Sequence, residues 1–580
     1  MQRKKRHAAA NRDIARHLLR LGFIEIAPPL VPRGPKGLVA FTGVLPGTRT
    51  PFRIRIDILD WDFVDQPRIK LLDEPDGFRP HVDDQCCLCY LQQSAVVFDR
   101  HDAIGNLTYC LNQAAQELER QASVGYRHEE SRYEFIRFWG DHGCYLRGTV
   151  RPQQRLHRTC FTWYGAGRIL FSDDKLEIAR LGRSLHQGMA RKEHEKQSLP
   201  AWVITLDKDP WLTRNGPPKT WEDLWDWLAM VDPRSRDCLA SLVDKKEFAE
   251  AYHHAVVFWH GDNWFGVETS LGEKVRRTYS LNRLARHNGR AALAQHLRTG
   301  GGAKLKLTTF ATIDVTPEFI HARNLGAGNS LAGKRIHLVG AGAIGGFIAQ
   351  QLACLGAGAG GGELLIVDRD ILNSENLGRH FLGMEKVLHD KATAVAEVLS
   401  AQFPMSNIRG LVTDARAVPH LFDCNLIVDA TGEEGLSLVL NELHQERLAV
   451  DTEAPAMLFA WVLGNGEVVQ ALLSDGGNHA CYDCLNLPEA EDAISRQRYK
   501  VLKQPPETRF VGCHTMRPYA VTAPSMAASL AAQMVADWNL GHPSPRFRTI
   551  YLATGANLYH RSKTEADPDK LRRCRTCAET

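Results

Sequence analysis

The sequence predicts an α/β protein in three parts. These are an α+β domain over residues 1–150, an α+β linker or middle domain over 151–325, and a doubly wound, Rossmann-like domain over 326–580. Three observations carry this. The chain has 580 residues, too many for one hydrophobic core, and at roughly 150 residues per domain three or four cores are expected. From about residue 331, short apolar strands alternate with Gly-rich turns and helical segments, the pattern of a parallel sheet covered on both faces. Before residue 150, an N-terminal helix is followed by alternating strands and then by a second helical run.

The charge balance of 71 Lys+Arg against 67 Asp+Glu leaves only +4, so no global field points to nucleic acid or an anionic membrane. No apolar run reaches the ~18 residues that span a bilayer. The N-terminus, MQRKKRHAAANRDIARHLLRL, lacks an export signal and reads as an amphipathic helix with Ile14, Leu18, Leu19 and Leu21 on one face. Fourteen cysteines without an export signal should stay reduced. A cytoplasmic protein is expected, with neither nucleic acid nor membrane as partner.

In the first part the strands are LVAFTGVL, FRIRIDIL and PRIKLLD, followed by a Cys-rich stretch and a helix over 104–119. The middle part is Trp-rich and irregular, interrupted by MARKEHEKQSLP, NGPPKT and RTGGGAK. It shows no constellation of reactive side chains and reads as a spacer or docking domain.

The third part opens with a strand over 336–339, then GAGAIGG, then a helix whose Phe347, Ile348, Gln351, Leu352 and Leu355 set out one packed face. Strands recur at ELLIVD, IRGLV, NLIVDA and LAVD, and LFAWVLGNGEVVQALL reads as a hairpin. Gly340, Gly342 and Gly345 form G-x-G-x-x-G between strand and helix, a turn that admits NAD, FAD or ATP. The stretch VDRDILNSENLGRH narrows the choice. Asp368 ends a strand and can take a ribose, Asn376 and Arg379 follow it, Lys391 opens a helix, and Asp429 ends the strand in LIVDATGE. Two cations and two strand-end acids around one Gly turn suit ATP with Mg2+. Hydride transfer needs no such clamp.

Cys481 with Cys484, and Cys574 with Cys577, are two CxxC pairs with the spacing of a tetrathiolate Zn2+ site. A redox pair is the other reading, although it needs no second copy. Cys513 stands apart, in a Gly-Cys-His turn before an Ala-rich helix, with His514 and Arg517 as possible cationic neighbours for a thiolate. A partly buried small hydrophobe is the plainer reading.

On GAGAIGG, DRDILNSENLGR, Lys391 and VDATGE, residues 331–580 resemble the adenylation domain of the ubiquitin-activating enzymes, which include the ThiF and MoeB proteins. The resemblance implies that Asp368 binds ribose, that Asn376, Arg379 and Lys391 contact phosphates, and that Asp429 positions Mg2+. It also implies that the paired CxxC motifs hold zinc and that Cys513, in the crossover segment, forms a thioester. Arg323 in HARNLG resembles the arginine that dimers of this family insert into the neighbouring ATP site, which implies a homodimer.

The stretch from FRIRIDIL to CCLCYLQQS resembles a ubiquitin-conjugating enzyme, with Leu88-Cys89-Tyr90 as the motif around the acceptor cysteine. That family's His-Pro-Asn is absent: the order here is Pro80-His81-Val82. The Cys cluster as a metal site is the competing reading. The fusion resembles the enzymes of bacterial ubiquitin-like conjugation systems, including those of CBASS antiviral operons. It implies ATP-dependent activation of the C-terminus of a ubiquitin-like protein or a cyclic-nucleotide synthase, a thioester on Cys513, transfer to Cys89, and conjugation to an acceptor protein or other amine. A sulfur-carrier adenylyltransferase and a non-catalytic nucleotide-binding scaffold are the alternatives.

Overall fold

The computed structural model describes residues 2–27, 39–73, 78–83, 85–92, 96–140, 145–164, 168–185, 199–213, 215–279, 286–299, 301–325, 329–451, 453–487, 496–511, 514–553, 557–559 and 563–578. They form two compact units, one of 1–175 with 190–313 and one of 176–189 with 314–580.

In the first unit, helix α1 (Gln2–Arg20) buries Ala10, Ile14 and Leu18, which fall at i, i+4 and i+8 on one stripe. Leu19 and Leu21, expected on that face, are 55% and 41% exposed. A step of about 100° per residue turns Leu19 off the stripe, and Leu21 lies beyond the helix. An antiparallel sheet follows: β1 (Ile24–Ile26), β2 (Val39–Val44), β3 (Arg53–Ile58) and β4 (Arg68–Leu71), paired in that order. The Arg-Ile alternation of β3 sends Ile54 and Ile56 into the core and the arginines to the other face. Helix α2 (Ala103–Arg120) begins where Asp102 accepts the Gly105 N–H at 2.8 Å. Its Leu107, Leu111 and Leu118 close the core over the sheet.

Helices α3 (Val124–Tyr133) and α4 (Phe135–Trp139) lead into a second core in the same unit. There Phe135 lies 4.6 Å from Phe265 and Trp139 lies 4.8 Å from Trp227, between ring centroids. The Trp139 indole N–H donates to the Gly266 carbonyl at 2.8 Å. The strands around it are β5 (Tyr145–Arg147), β6 (Leu156–Tyr164), β7 (Arg168–Ser172), β8 (Leu199–Thr205), β9 (His253–His260), β10 (Asn263–Ser270), β11 (Thr308–Ala311) and β12 (Ile313–Asp314). They form one mixed sheet in the order β11-β10-β9-β8-β6-β7-β5-β12. The tryptophans that make this stretch look irregular as sequence are its packing.

The second unit is built on β13 (Arg335–Val339), α5 (Ala343–Cys354), β14 (Glu363–Val367), α6 (Lys391–Gln402), β15 (Ile408–Leu411), β16 (Leu426–Asp429), α7 (Glu434–Val450) and β17 (Ala456–Leu463). The chain continues through β18 (Val468–Ser474), β19 (Arg509–Val511), β20 (His514–Met516), α8 (Thr522–Asn539), β21 (Phe547–Tyr551) and β22 (Glu565–Ala566). The sheet order is β15-β14-β13-β16-β17-β18-β21-β22, parallel through β17 and antiparallel beyond it. This is the expected doubly wound sheet with the hairpin 456–474 as its extension. LAVD, expected as a strand, is instead the end of α7, since a short apolar run does not distinguish strand from buried helix. Among the described residues no helix is long and apolar enough to cross a membrane.

Trp139→Ala removes a fully buried indole and its bond to Gly266. It should destabilise the first unit by about 3–5 kcal/mol, read as a lower midpoint in tryptophan-monitored urea unfolding, with the second unit's transition unmoved.

Candidate functional site

Strand β13 lies between β14 and β16, so the chain leaves it in one direction and returns on the other side. This reversal of strand order opens a crevice at the carboxyl ends. The Gly turn sits there. Gly340 has φ +93°, and a Cβ on it would meet the Thr431 nitrogen at 3.0 Å; a Cβ on Gly345 would lie 1.8 Å from the Gly340 carbonyl oxygen. These two glycines let the turn close on α5 and on the segment after β16. At Gly342 nothing lies within 4 Å of a Cβ, and no side chain caps α5 there. At such a bare position the N–H groups of a helix start favour an anion.

The stretch after β14 braces this turn at one residue. Asp368 accepts the Ala341 N–H at 2.6 Å through Oδ2 and the Asp370 N–H at 2.8 Å through Oδ1. His380 meets the Ala341 carbonyl from the other side, at 2.8 Å through Nε2, while its Nδ1 accepts the Leu382 N–H at 3.0 Å. An accepting Nδ1 carries no proton, so the proton is on Nε2 and is donated to Ala341. Burial, helped by the Lys391 charge, pushes the His380 pKa down and keeps the ring neutral.

Asn376 accepts the Asn373 N–H at 3.0 Å and holds the short helix Ser374–Arg379. Arg379 donates to the Arg517 carbonyl at 3.1 Å and lies 4.5 Å over the Tyr519 ring. Lys391 begins α6 buried, and its Nζ donates to Asp370 at 3.1 Å. Asp370, the second acid of VDRD, had no role in the sequence reading and is the lysine's partner. Asp429 is buried at the end of β16. It accepts the Thr431 N–H at 3.0 Å, the Thr431 hydroxyl at 2.7 Å and the Ser437 hydroxyl. Burial pushes its pKa up. It lines a cavity of about 120 Å³ with Trp461, Gln470, Tyr482 and Arg517.

Arg323 is exposed at the end of the helix Pro317–Ala322, its guanidinium 5.4 Å over Phe319. In the crossover segment β19 and β20 pair Arg509 with Met516 and Val511 with His514. Cys513 lies outside the described residues.

The two CxxC pairs converge. Cys481 Sγ lies 3.8 Å from Cys484 and 3.7 Å from Cys574, and Cys484 lies 3.4 Å from Cys577. Four sulfurs at about 2.3 Å from a tetrahedral zinc are about 3.8 Å apart, so the cluster has the dimensions of a closed Zn2+ site. Asn441 and the Leu571 N–H donate to its sulfurs at 3.5 and 3.4 Å, as outer donors to thiolates do.

In the first unit Cys89 is exposed, and its N–H donates to the His81 carbonyl at 2.7 Å. His81 has φ +59°. Its main chain is held by Glu134, which accepts the His81 N–H at 3.1 Å, and by Gln121, which donates to the Pro80 carbonyl at 2.8 Å. The Cys89 sulfur and the Glu134 carboxylate hold the His81 pKa up at about 10 against burial. Burial pushes Glu134 the other way, but His81 outweighs it and keeps the carboxyl low.

Residues 322–576 match the ThiF family and residues 39–143 the prokaryotic E2 family B. The ATP-dependent ubiquitin transferase-like protein Cap2 of Pseudomonas aeruginosa (strain BWHPSA011 / Pa011) is 29% identical over 528 residues, covering 90% of this chain and 90% of that protein. Cap2 of Vibrio cholerae serotype O1 is 24% identical, covering 88% of this chain and 89% of that one. A crystal structure of E. coli MccB with MccA-N7isoASN overlays 43% of this chain and 67% of that one, at 15% identity and a TM-score of 0.32. One chain thus joins a prokaryotic E2 family B domain to a ThiF-family domain, and its near full-length likeness is to the Cap2 ubiquitin transferase-like proteins.

Proposed function

We propose that this chain uses ATP to activate the C-terminal carboxylate of a protein and joins it to an amine. The protein is a ubiquitin-like protein or a CBASS cyclic-nucleotide synthase. The carrying observation is the double brace on Ala341 beside an open Gly342, with buried Lys391 and Asp429 near the ends of neighbouring strands. ATP fits this crevice with Asp368 at the ribose and Asn376, Arg379 and Lys391 at the phosphates. Asp429, whose burial disfavours its charge, is suited to a divalent cation and would hold Mg2+ there.

A carboxylate oxygen of the substrate attacks the α-phosphorus, pyrophosphate leaves, and an acyl-adenylate forms. Cys513 takes the acyl group as AMP leaves, Cys89 takes it from Cys513, and the amine takes it last. The four cysteines hold one structural Zn2+. In a homodimer, Arg323 of one protomer reaches the ATP site of its partner. Free thiols as nucleophiles suit the reducing cytoplasm.

Intact-mass analysis of Cys89→Lys, expressed with its natural neighbours, should show a protein-sized amide adduct that disappears when Cys513→Ala is added. If no adduct forms while pyrophosphate exchange with a candidate carrier persists, the two-cysteine relay fails and sulfur-carrier adenylation takes its place. Lys391→Ala and Asp429→Asn should each cut pyrophosphate exchange by about 10²–10³-fold, the usual loss when a preorganised charge partner is removed. Metal analysis should find one zinc per chain, and Cys574→Ser should lose it and lower the thermal midpoint of the second unit.

A further inference from the structure

Both ring nitrogens of His81 face carboxylate oxygens. Nδ1 is 3.0 Å from Glu134, and Nε2 is 3.2 Å from Glu130 and 4.0 Å from Glu117. A carboxylate can only accept hydrogen bonds, and a neutral imidazole has one N–H to give. A neutral His81 would therefore set a bare nitrogen lone pair against a carboxylate at one of its two close contacts. Only the imidazolium satisfies both.

The cluster is fixed from several elements. Glu117 on α2 accepts from the Tyr126 hydroxyl at 3.0 Å and from Gln121 at 2.9 Å, and Arg120 reaches it at 3.3 Å. Glu130 comes from α3, and Glu134 lies between α3 and α4. Among the described residues, the titratable and charged groups around the ring are these three glutamates and Cys89, with Arg120 and Tyr126 behind Glu117 and Arg137 behind Glu134. The left-handed backbone at His81, unusual for a residue with a side chain, is held by the Glu134 and Gln121 bonds.

We propose that His81 is a standing positive charge at Cys89 that keeps the thiolate accessible among three carboxylates, and that it is not a proton acceptor. The proposal rests on the reading of Cys89 as an acyl acceptor. In that step the Cys89 thiolate forms the new S–C bond, the bond to the donor sulfur breaks, and the donor leaves as thiolate. The proton of the Cys89 thiol goes to solvent, because both nitrogens of His81 already carry one.

The test is the rate of Cys89 alkylation by iodoacetamide against pH, in the full chain, followed by site-resolved mass spectrometry. His81→Asn keeps a residue that tolerates left-handed backbone but leaves Cys89 facing carboxylates. It should slow alkylation at neutral pH by about tenfold or more, as expected when the cation beside a thiolate is removed. Glu130→Gln removes one negative charge while Glu117 and Glu134 keep His81 protonated, and it should speed alkylation. Opposite signs are the signature, since loosened packing would move both variants the same way. An unmoved profile in His81→Asn, or slower alkylation in Glu130→Gln, overturns the proposal. The Cys89→Lys adduct reports separately on whether Cys89 accepts an acyl group, so the two readings fail independently.

Discussion

The Gly-rich turn of the second unit depends on two hydrogen bonds to one residue. Ala341 gives its N–H to Asp368 and receives the His380 N–H on its carbonyl, so a turn with almost no side chains is held in one orientation by two side chains from outside it. The bond to the Asp368 carboxylate contributes about 1.5–3 kcal/mol and the one from neutral His380 about 0.5–1.5 kcal/mol. That is enough to hold one conformation of a Gly-rich loop that would otherwise have many. The two bonds ask different things of their partners: Asp368 accepts, and His380 must be neutral to donate at Nε2 while accepting at Nδ1. The buried Lys391 supports the second, since its positive charge disfavours a second cation at His380, and Asp370 holds it in place.

Much of this was legible in the sequence, with limits set by distance along the chain. The spacing of Gly340, Gly342 and Gly345 announced the turn, yet their separate duties depend on what residues 430–431 bring near them. The stretch VDRDILNSENLGRH stood out because a lone ribose contact does not explain its polarity. Which group accepts and which donates is a matter of geometry that the order of letters does not carry. The four cysteines were readable because local CxxC spacing keeps its meaning whatever lies between the pairs, and the four sulfurs do converge. The face of α1 was misread because a cluster of leucines near a helix end is not a stripe.

His81 marks the limit of such reading. Its place eight positions before Cys89 was visible in the sequence, but its charge is set by Cys89 and by glutamates on α2, on α3 and between α3 and α4, and nothing in the local sequence predicts that three carboxylates meet on one imidazole. A motif read without its surroundings suggests a base. The assembled cluster holds that ring as a cation, with both nitrogens already protonated and none free to accept.

The sulfur cluster joins positions 93 residues apart, Cys481 and Cys574, and the enclosed stretch includes Cys513, α8 and β21. A metal on the four sulfurs makes this stretch a closed ring of chain. By loop-closure entropy, a cross-link of that length removes on the order of 4–5 kcal/mol of freedom from the unfolded chain. It also sets a perimeter: the two ends of the enclosed stretch stay beside each other whatever the rest of it does. Zinc there would have no part in bond making and would act on the chain as a clasp.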